Sequence, residues 1–190
     1  MRFKDESGLK DETISVEALK DGRLVVWSVA NSRWLFNNGF YGKPLGNPKP
    51  KEDFQEPLVL DPVEGAYLLE KGKIDVKLGS KRISIKQLTA RARKQLQGFD
   101  EKYIIYKDLR DRGLIVTPGI KYGCDFAVYE HGPGIDHAPY IIQVKSSNDE
   151  ITAAEIVRSG RLASTVKKNF IIAVINNENP QYLEFKWWKA

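Results

Sequence analysis

A single cysteine, Cys124, and two histidines, His131 and His137, are all this chain offers a soft metal or a disulfide. No intrachain disulfide can form, which fits a reducing compartment. Neither a zinc site nor a thiol–His pair finds obvious support in that set. Long apolar runs are also missing. The longest, Phe170 to Ile175, has the length of a buried strand and falls far short of the roughly 20 residues that span a bilayer. The opening residues, Met1-Arg2-Phe3-Lys4-Asp5-Glu6, are charged and lack the apolar stretch of a signal peptide. A cytoplasmic protein without membrane association is therefore expected.

What is present is ordinary in amount. Hydrophobic residues are 42% of 190, enough for the core of one large domain or two small ones. The net charge of +5 suits an anionic partner, because each Lys or Arg placed on a phosphate releases a condensed counterion. The excess is mild, and charge alone decides little.

The first half reads as small and mixed. Arg23 to Trp27 is a short strand, Arg33 to Phe40 a short aromatic helix, and Gly42 to Pro57 an exposed loop rich in proline and lysine. Asp61-Pro62-Val63-Glu64 combines an N-cap, a proline at N1 and a glutamate at N3, and so opens a helix that Gly72 stops. A hairpin over Ile74 to Ile85 and a basic helix over Lys86 to Gln97 follow, closing at Gly98. In the second half Asp100 caps a helix with Tyr103, Ile104, Tyr106 and Leu109 inward. Leu114 to Thr117, Ile120 to Tyr129 and Tyr140 to Lys145 read as strands. On the second of these, Asp125 and Tyr129 share the face opposite Tyr122 and Cys124. Ser147 to Glu150 forms a capping-box sequence for a helix running to about Lys168, with strands over Phe170 to Ile175 and Tyr182 to Trp188 after it. The expectation is an α/β (α+β) chain of two domains, 1–98 with an exposed Lys/Pro loop at 43–57, and 99–190.

Chemistry concentrates in the second half. Arg161 and Lys168, seven residues apart, fall two turns apart on one helix flank among small residues, roughly 10 Å from each other along the axis. His137, on a Gly/Pro loop beside a strand end, suits proton transfer at neutral pH, as a free imidazole titrates near 6.5. His131 competes, and spacing does not choose between them.

Tyr106-Lys107-Asp108-Leu109-Arg110-Asp111-Arg112-Gly113, Val116 to Phe126, Val128-Tyr129 and His137-Ala138-Pro139-Tyr140 together resemble the catalytic domain of the archaeal tRNA-splicing endonucleases. Arg161 to Lys168 resembles that family's last helix motif, while Gly39 to Pro44 and the helix at Glu64 to Gly72 are similar to its N-terminal domain. The resemblance implies a restriction-endonuclease-like catalytic domain with a mixed central sheet. It also implies metal-free cleavage of precursor tRNA at bulge–helix–bulge sites, giving 2′,3′-cyclic phosphate and 5′-hydroxyl ends without a cofactor. Carried over by residue, the catalytic tyrosine falls on Tyr129, the histidine on His137 and the lysine on Lys168, with Lys167 the alternative register. The base-clamping arginine falls on Arg161. Lys186, Trp187 and Trp188 occupy the stretch of a second clamp, and a Trp there can stack on a base. Lys43, Lys49 and Lys51 are expected to help hold RNA.

The same resemblance implies a two-fold assembly. The Lys/Pro loop and the weakly acidic turn Asn176-Asn177-Glu178-Asn179 favour an (αβ)2 heterotetramer with a structural subunit over a homotetramer. Two competing readings remain. Asp125, Gln143 and Lys145 echo a magnesium-dependent restriction-type nuclease, and the chain could be a non-catalytic RNA-binding subunit.

Overall fold

The computed structural model describes residues 13–47, 50–51, 53–176 and 179–185. Lys49, Lys186, Trp187 and Trp188, with Asn177 and Glu178 of the acidic turn, lie outside the described residues. The chain divides into two compact units, 1–99 and 100–190.

The N-terminal unit carries β1 (Ile14–Ala18), β2 (Leu24–Val26), α1 (Val29–Gly39), β3 (Lys43–Pro44), β4 (Leu58–Leu60), α2 (Pro62–Glu70), β5 (Ile74–Leu78), β6 (Lys81–Arg82) and α3 (Ile85–Gln95). Its sheet runs β3-β4-β2-β1-β5-β6, parallel only between β1 and β5. The capping box expected at α2 forms: the Asp61 side chain accepts from the Val63 amide, and Glu64 reaches back to the Asp61 amide at 2.9 Å. Glu64 also accepts from Gly42, which is how a buried carboxylate stays satisfied.

The loop at 43–57 is not wholly exposed as expected. Its first two residues pair with Leu58 and Val59, and Phe54 is buried edge-on against Phe36. The Arg33 guanidinium donates to the Phe54 and Asp53 carbonyls. An aromatic ring in a polar segment found an apolar partner that sequence spacing could not reveal.

In the C-terminal unit, α4 (Phe99–Asp111), β7 (Ile115–Pro118), a 3-10 turn (Ile120–Tyr122), β8 (Phe126–Tyr129), β9 (Tyr140–Ser146), α5 (Ala153–Thr165), β10 (Asn169–Asn176) and β11 (Asn179–Phe185) follow in order. The sheet is β11-β10-β9-β8-β7, with β9 and β10 parallel and the rest antiparallel, so it is mixed as expected. Ile141, Phe170 and Ile172 pack against Ala163 and Ile156 of α5 on one face. On the other, Phe126 meets Tyr106 of α4. Helix α4 turns Ile105, Tyr106 and Leu109 inward, with Ile105 rather than Ile104 fully buried. Buried Arg110 donates to the Tyr106 hydroxyl and the Val116 carbonyl.

Two elements of this unit differ most from expectation. Ile120 to Tyr129 is not one strand: the 3-10 turn and Gly123, at φ 63°, break it, so the alternation inferred from Ile120 onward does not hold. Gly119 is required there, since a Cβ would sit 2.5 Å from the Cys124 Sγ and 2.8 Å from the Phe126 carbonyl carbon. Helix α5 starts later, at the capping box Thr152/Glu155, while Asp149 caps a turn by accepting from the Ser146 amide.

The helix also ends earlier. Lys167 adopts a left-handed φ of 55°, its amide donating to Ser164 and that of Lys168 to Ala163. This is a Schellman stop made without glycine. A side chain in that conformation costs about 1–2 kcal/mol. Replacing Lys167 by Gly removes the strain but frees the unfolded chain. We expect a net gain of about 0.5–1 kcal/mol, seen as a higher urea midpoint at unchanged m-value.

Candidate active site

Strand register assembles the site. Val128 and Asn169 both pair with Tyr140, on opposite sides of it. One step further along, Tyr129, Pro139 and Lys168 therefore occupy a single row at the ends of β8, β9 and β10. Directly opposed residues share a face, so Tyr129 and Lys168 project to the side that carries α5. Their backbones are separated by two strand spacings, roughly 10 Å. The Asn169 amide closes the row by donating to the Pro139 carbonyl at 2.8 Å.

Lys168 is thus not on the flank of α5, as the seven-residue spacing from Arg161 suggested. It lies past the helix stop. Its Nζ donates to the Ala138 carbonyl at 2.6 Å and stands 5.0 Å from the centre of the Tyr122 ring. An ammonium has three donors, so this tether leaves protons for a phosphate oxygen while the ring face favours the positive charge. Lys167, the alternative in the motif, is exposed. Arg161 is exposed on α5.

His137 immediately precedes Ala138, whose carbonyl holds Lys168. It is exposed. Its loop is shaped by Asp136, which accepts from the amides of Glu130, His131 and Gly132 at 3.1, 3.0 and 2.8 Å. Burial works against this charge, but the hydrogen bonds from His131, Gly132 and Glu130 outweigh it and hold the carboxyl below its ordinary range. His131 spends its amide on that turn, six residues before His137, and its side chain is exposed.

Tyr129 is half-buried. Burial pushes its phenol above the ordinary value of 10.0. Tyr122 adds to the shift, a Thr117 hydrogen bond opposes it, and Asp136 adds again. None of these groups is a cation. The phenol therefore keeps its proton at neutral pH. The sign has a stability consequence: a phenol pKa raised on folding stabilises the native chain below about pH 10 and stops doing so as pH climbs through the folded value.

Sequence reasoning passed over two contributors. Tyr122 was placed by strand alternation on the face away from Tyr129, and the 3-10 turn swings it to the Lys168 ammonium instead. Asp136 carried no sequence signal beyond its place in a Gly/Pro loop.

The magnesium alternative meets a poor donor set. Asp125 pairs with Lys102 at 3.0 Å through one oxygen, and through the other accepts from Gln143 Nε2 and the Val144 amide, both at 2.8 Å. Lys145 lies 3.7 Å from Glu155. Among the described residues, no three of His, Cys, Asp and Glu gather to hold a metal. Cys124 is no nucleophile either, because burial pushes its thiol up to about 11. Beside the row, a cavity of about 460 Å³ between α5 and the sheet is bordered by Tyr122, Gln143, Lys145, Arg158 and Leu162.

Comparison with known proteins agrees over nearly the whole chain. The family model described as tRNA intron endonuclease, catalytic C-terminal domain, matches residues 99–182, and its N-terminal domain counterpart matches residues 16–89. A tRNA-splicing endonuclease of Hyperthermus butylicus is 45% identical over 171 residues, covering 88% of this chain and 94% of that protein. Those of Saccharolobus solfataricus and Sulfurisphaera tokodaii are 41% and 38% identical, covering 92% and 91% of this chain and 99% and 98% of theirs.

Proposed function

The chain belongs to the tRNA intron endonuclease family, and on that premise we propose that Tyr129, His137 and Lys168 excise introns from precursor tRNA by internal transesterification. RNA supplies its own nucleophile. The 2′-OH attacks the adjacent phosphorus, the bond to the 5′-oxygen breaks, and the products are a 2′,3′-cyclic phosphate and a 5′-hydroxyl. His137 protonates the leaving oxygen, and Lys168 stabilises the added negative charge of the phosphorane. Tyr129, neutral at pH 7, orients the 2′-OH by a hydrogen bond while solvent base takes the proton. No metal is needed for any of these steps. The observation that carries the reading is the row Tyr129–Pro139–Lys168, with His137 one residue from the carbonyl that tethers the lysine.

The substrate we propose carries a bulge–helix–bulge, recognised through its shape and through flipped-out bases. Arg161 clamps one such base. Lys186, Trp187 and Trp188 supply the second clamp, and Lys43, Lys49 and Lys51 add phosphate contacts from the N-terminal unit. Assembly as an (αβ)2 heterotetramer with a structural subunit remains part of the same proposal. An active homotetramer of this chain alone, by light scattering, would contradict that part only. Among the described residues, no helix is long and apolar enough to cross a membrane.

One substrate change tests the chemistry. A single 2′-deoxy nucleotide at the cut site is expected to abolish cleavage there, whereas hydrolysis by an activated water would survive it. The Tyr129 role has its own test. Between about pH 6 and 9, log kcat for Tyr129→Phe should run parallel to wild type, roughly tenfold lower. A profile that flattens in the variant would return the base role to Tyr129.

A further inference from the structure

A lysine that meets a developing charge must stand in one place, yet its flexible four-carbon stem carries more rotamer freedom than most side chains. At Lys168 the hydrogen bond to the Ala138 carbonyl supplies one constraint. It fixes a single distance, and by itself would let the ammonium swing on an arc around that oxygen. A second contact, from a different element, chooses the point on the arc. The centre of the Tyr122 ring lies 5.0 Å from the Lys168 Nζ. That is inside the roughly 6 Å over which the negative face of a ring attracts a cation.

The ring is itself firmly placed. It packs against the core cluster of Ile141, Ala163, Phe170 and Ile172 beneath α5. The Tyr122 amide donates to the Gly119 carbonyl at 2.8 Å and the Gly123 amide to the Ile120 carbonyl at 3.0 Å, which closes the 3-10 turn. The far end of the turn is tied to β9. There the Asp125 amide donates to the Ile142 carbonyl at 3.0 Å, and the Asp125 carboxylate accepts from Gln143 and the Val144 amide. The residue that echoed a metal ligand in the sequence thus anchors the turn that presents Tyr122.

Core packing alone does not ask for an aromatic ring here. Tyr122 is only half-buried, and it borders the open cavity between α5 and the sheet. An aliphatic side chain would cover the same cluster, but it would offer the ammonium no negative face. Lys121 stands 5.7 Å from the same ring, but it is exposed on the turn itself, whereas Lys168 is half-buried.

We propose that Tyr122 is a positioning residue for the proposed reaction: its ring seats the Lys168 ammonium where the phosphorane charge develops, while Ala138 keeps it within reach. Tyr122 acts through Lys168 and touches no reacting atom. Placement of this kind matters because a misplacement of about 1 Å can cost about a hundredfold in rate. The inference rests on the RNA-cleaving reading, although one of its measurements needs no RNA.

Tyr122→Phe keeps the ring and should cleave precursor RNA within about twofold of wild type. Tyr122→Leu keeps apolar contact with the core but loses the ring face. Its kcat should fall about ten- to thirtyfold, with KM within about twofold. Stepwise fluorination of the ring in Tyr122→Phe drains its negative face while leaving its packing almost unchanged, so log kcat should fall with each fluorine. Lys121→Ala is the control and should stay within about twofold of wild type. The measurement without RNA is the NMR spectrum of the full chain. The Lys168 Cε protons should be shifted upfield by the ring in wild type and Tyr122→Phe, and return to the ordinary lysine position in Tyr122→Leu. An ordinary position in wild type overturns the proposal, as does a kcat indifferent to fluorination. A Tyr122→Phe loss equal to that of Tyr122→Leu would assign the effect to the hydroxyl instead. A raised KM with kcat retained would make the ring a substrate contact, and a larger loss in Lys121→Ala would move its cation by one residue; each overturns the proposal too. Failure of the wild-type chain to cleave precursor RNA would count against the catalytic reading, and the proton shift would then decide the seat by itself.

Discussion

His137→Ala is expected to lower kcat on precursor RNA by about 10²–10⁴ at neutral pH, with KM changed little. That corresponds to roughly 3–5 kcal/mol of lost transition-state stabilisation. The expectation follows from the leaving group. A ribose 5′-alkoxide is a strong base and departs badly without a proton, and His137 stands beside the carbonyl that fixes Lys168. Stability should not move, because the side chain is exposed. A substrate with sulfur in place of the 5′-oxygen sharpens the test. A thiolate leaves unprotonated, so the variant should recover most of its rate on that RNA. His131→Ala serves as the control and should stay close to wild type. If His137→Ala cuts the ordinary substrate within about threefold of wild type, the chain is better read as a non-catalytic subunit.

Lys168→Ala should cost about 10²–10³ in kcat, the loss seen when one preorganised charge-stabilising donor is removed from a reacting centre. Two effects combine here. The phosphorane loses its cation, and the β8–β9 loop loses the hydrogen bond that Lys168, just before β10, donates to Ala138. The second effect has a separate readout, since a hydrogen bond of this kind contributes about 1 kcal/mol to stability. Lys168→Arg keeps the charge but not the fit. A planar guanidinium does not reproduce a point charge seated between the Ala138 carbonyl and the Tyr122 ring, so about a tenfold loss is expected. Lys167→Ala, one residue earlier and exposed, should retain nearly full activity. The reverse order of these two variants would move the catalytic lysine by one position.

The architecture was legible wherever local chemistry is unambiguous. Asp61-Pro62-Val63-Glu64 permits one reading, and the helix begins there. At α5 two capping sequences stood five residues apart, Ser147 to Glu150 and Thr152 to Glu155. Both satisfy the pattern, and only the parallel pairing of β9 with β10 decides how much chain remains for the helix. The helix stop at Lys167 was invisible because such stops are normally signalled by Gly or Asn, and here a lysine carries the left-handed conformation. That single misplacement put Lys168 on the wrong element. The row that holds Tyr129 and Lys168 was likewise beyond periodicity, since it depends on register across three strands. The family motif supplied those residues and His137, and the sheet register gives the physical reason Tyr129 and Lys168 share a row. Tyr122 shows the converse: a two-residue period fails when a 3-10 turn interrupts it.

The central claim is metal-free transesterification by Tyr129, His137 and Lys168. End-group analysis of a cleaved bulge–helix–bulge RNA in excess EDTA, with and without a structural partner chain, tests it most directly. The account predicts undiminished cleavage leaving 2′,3′-cyclic phosphate and 5′-hydroxyl termini. Cleavage that vanishes with chelator, or that leaves 3′-hydroxyl and 5′-phosphate ends, would contradict it.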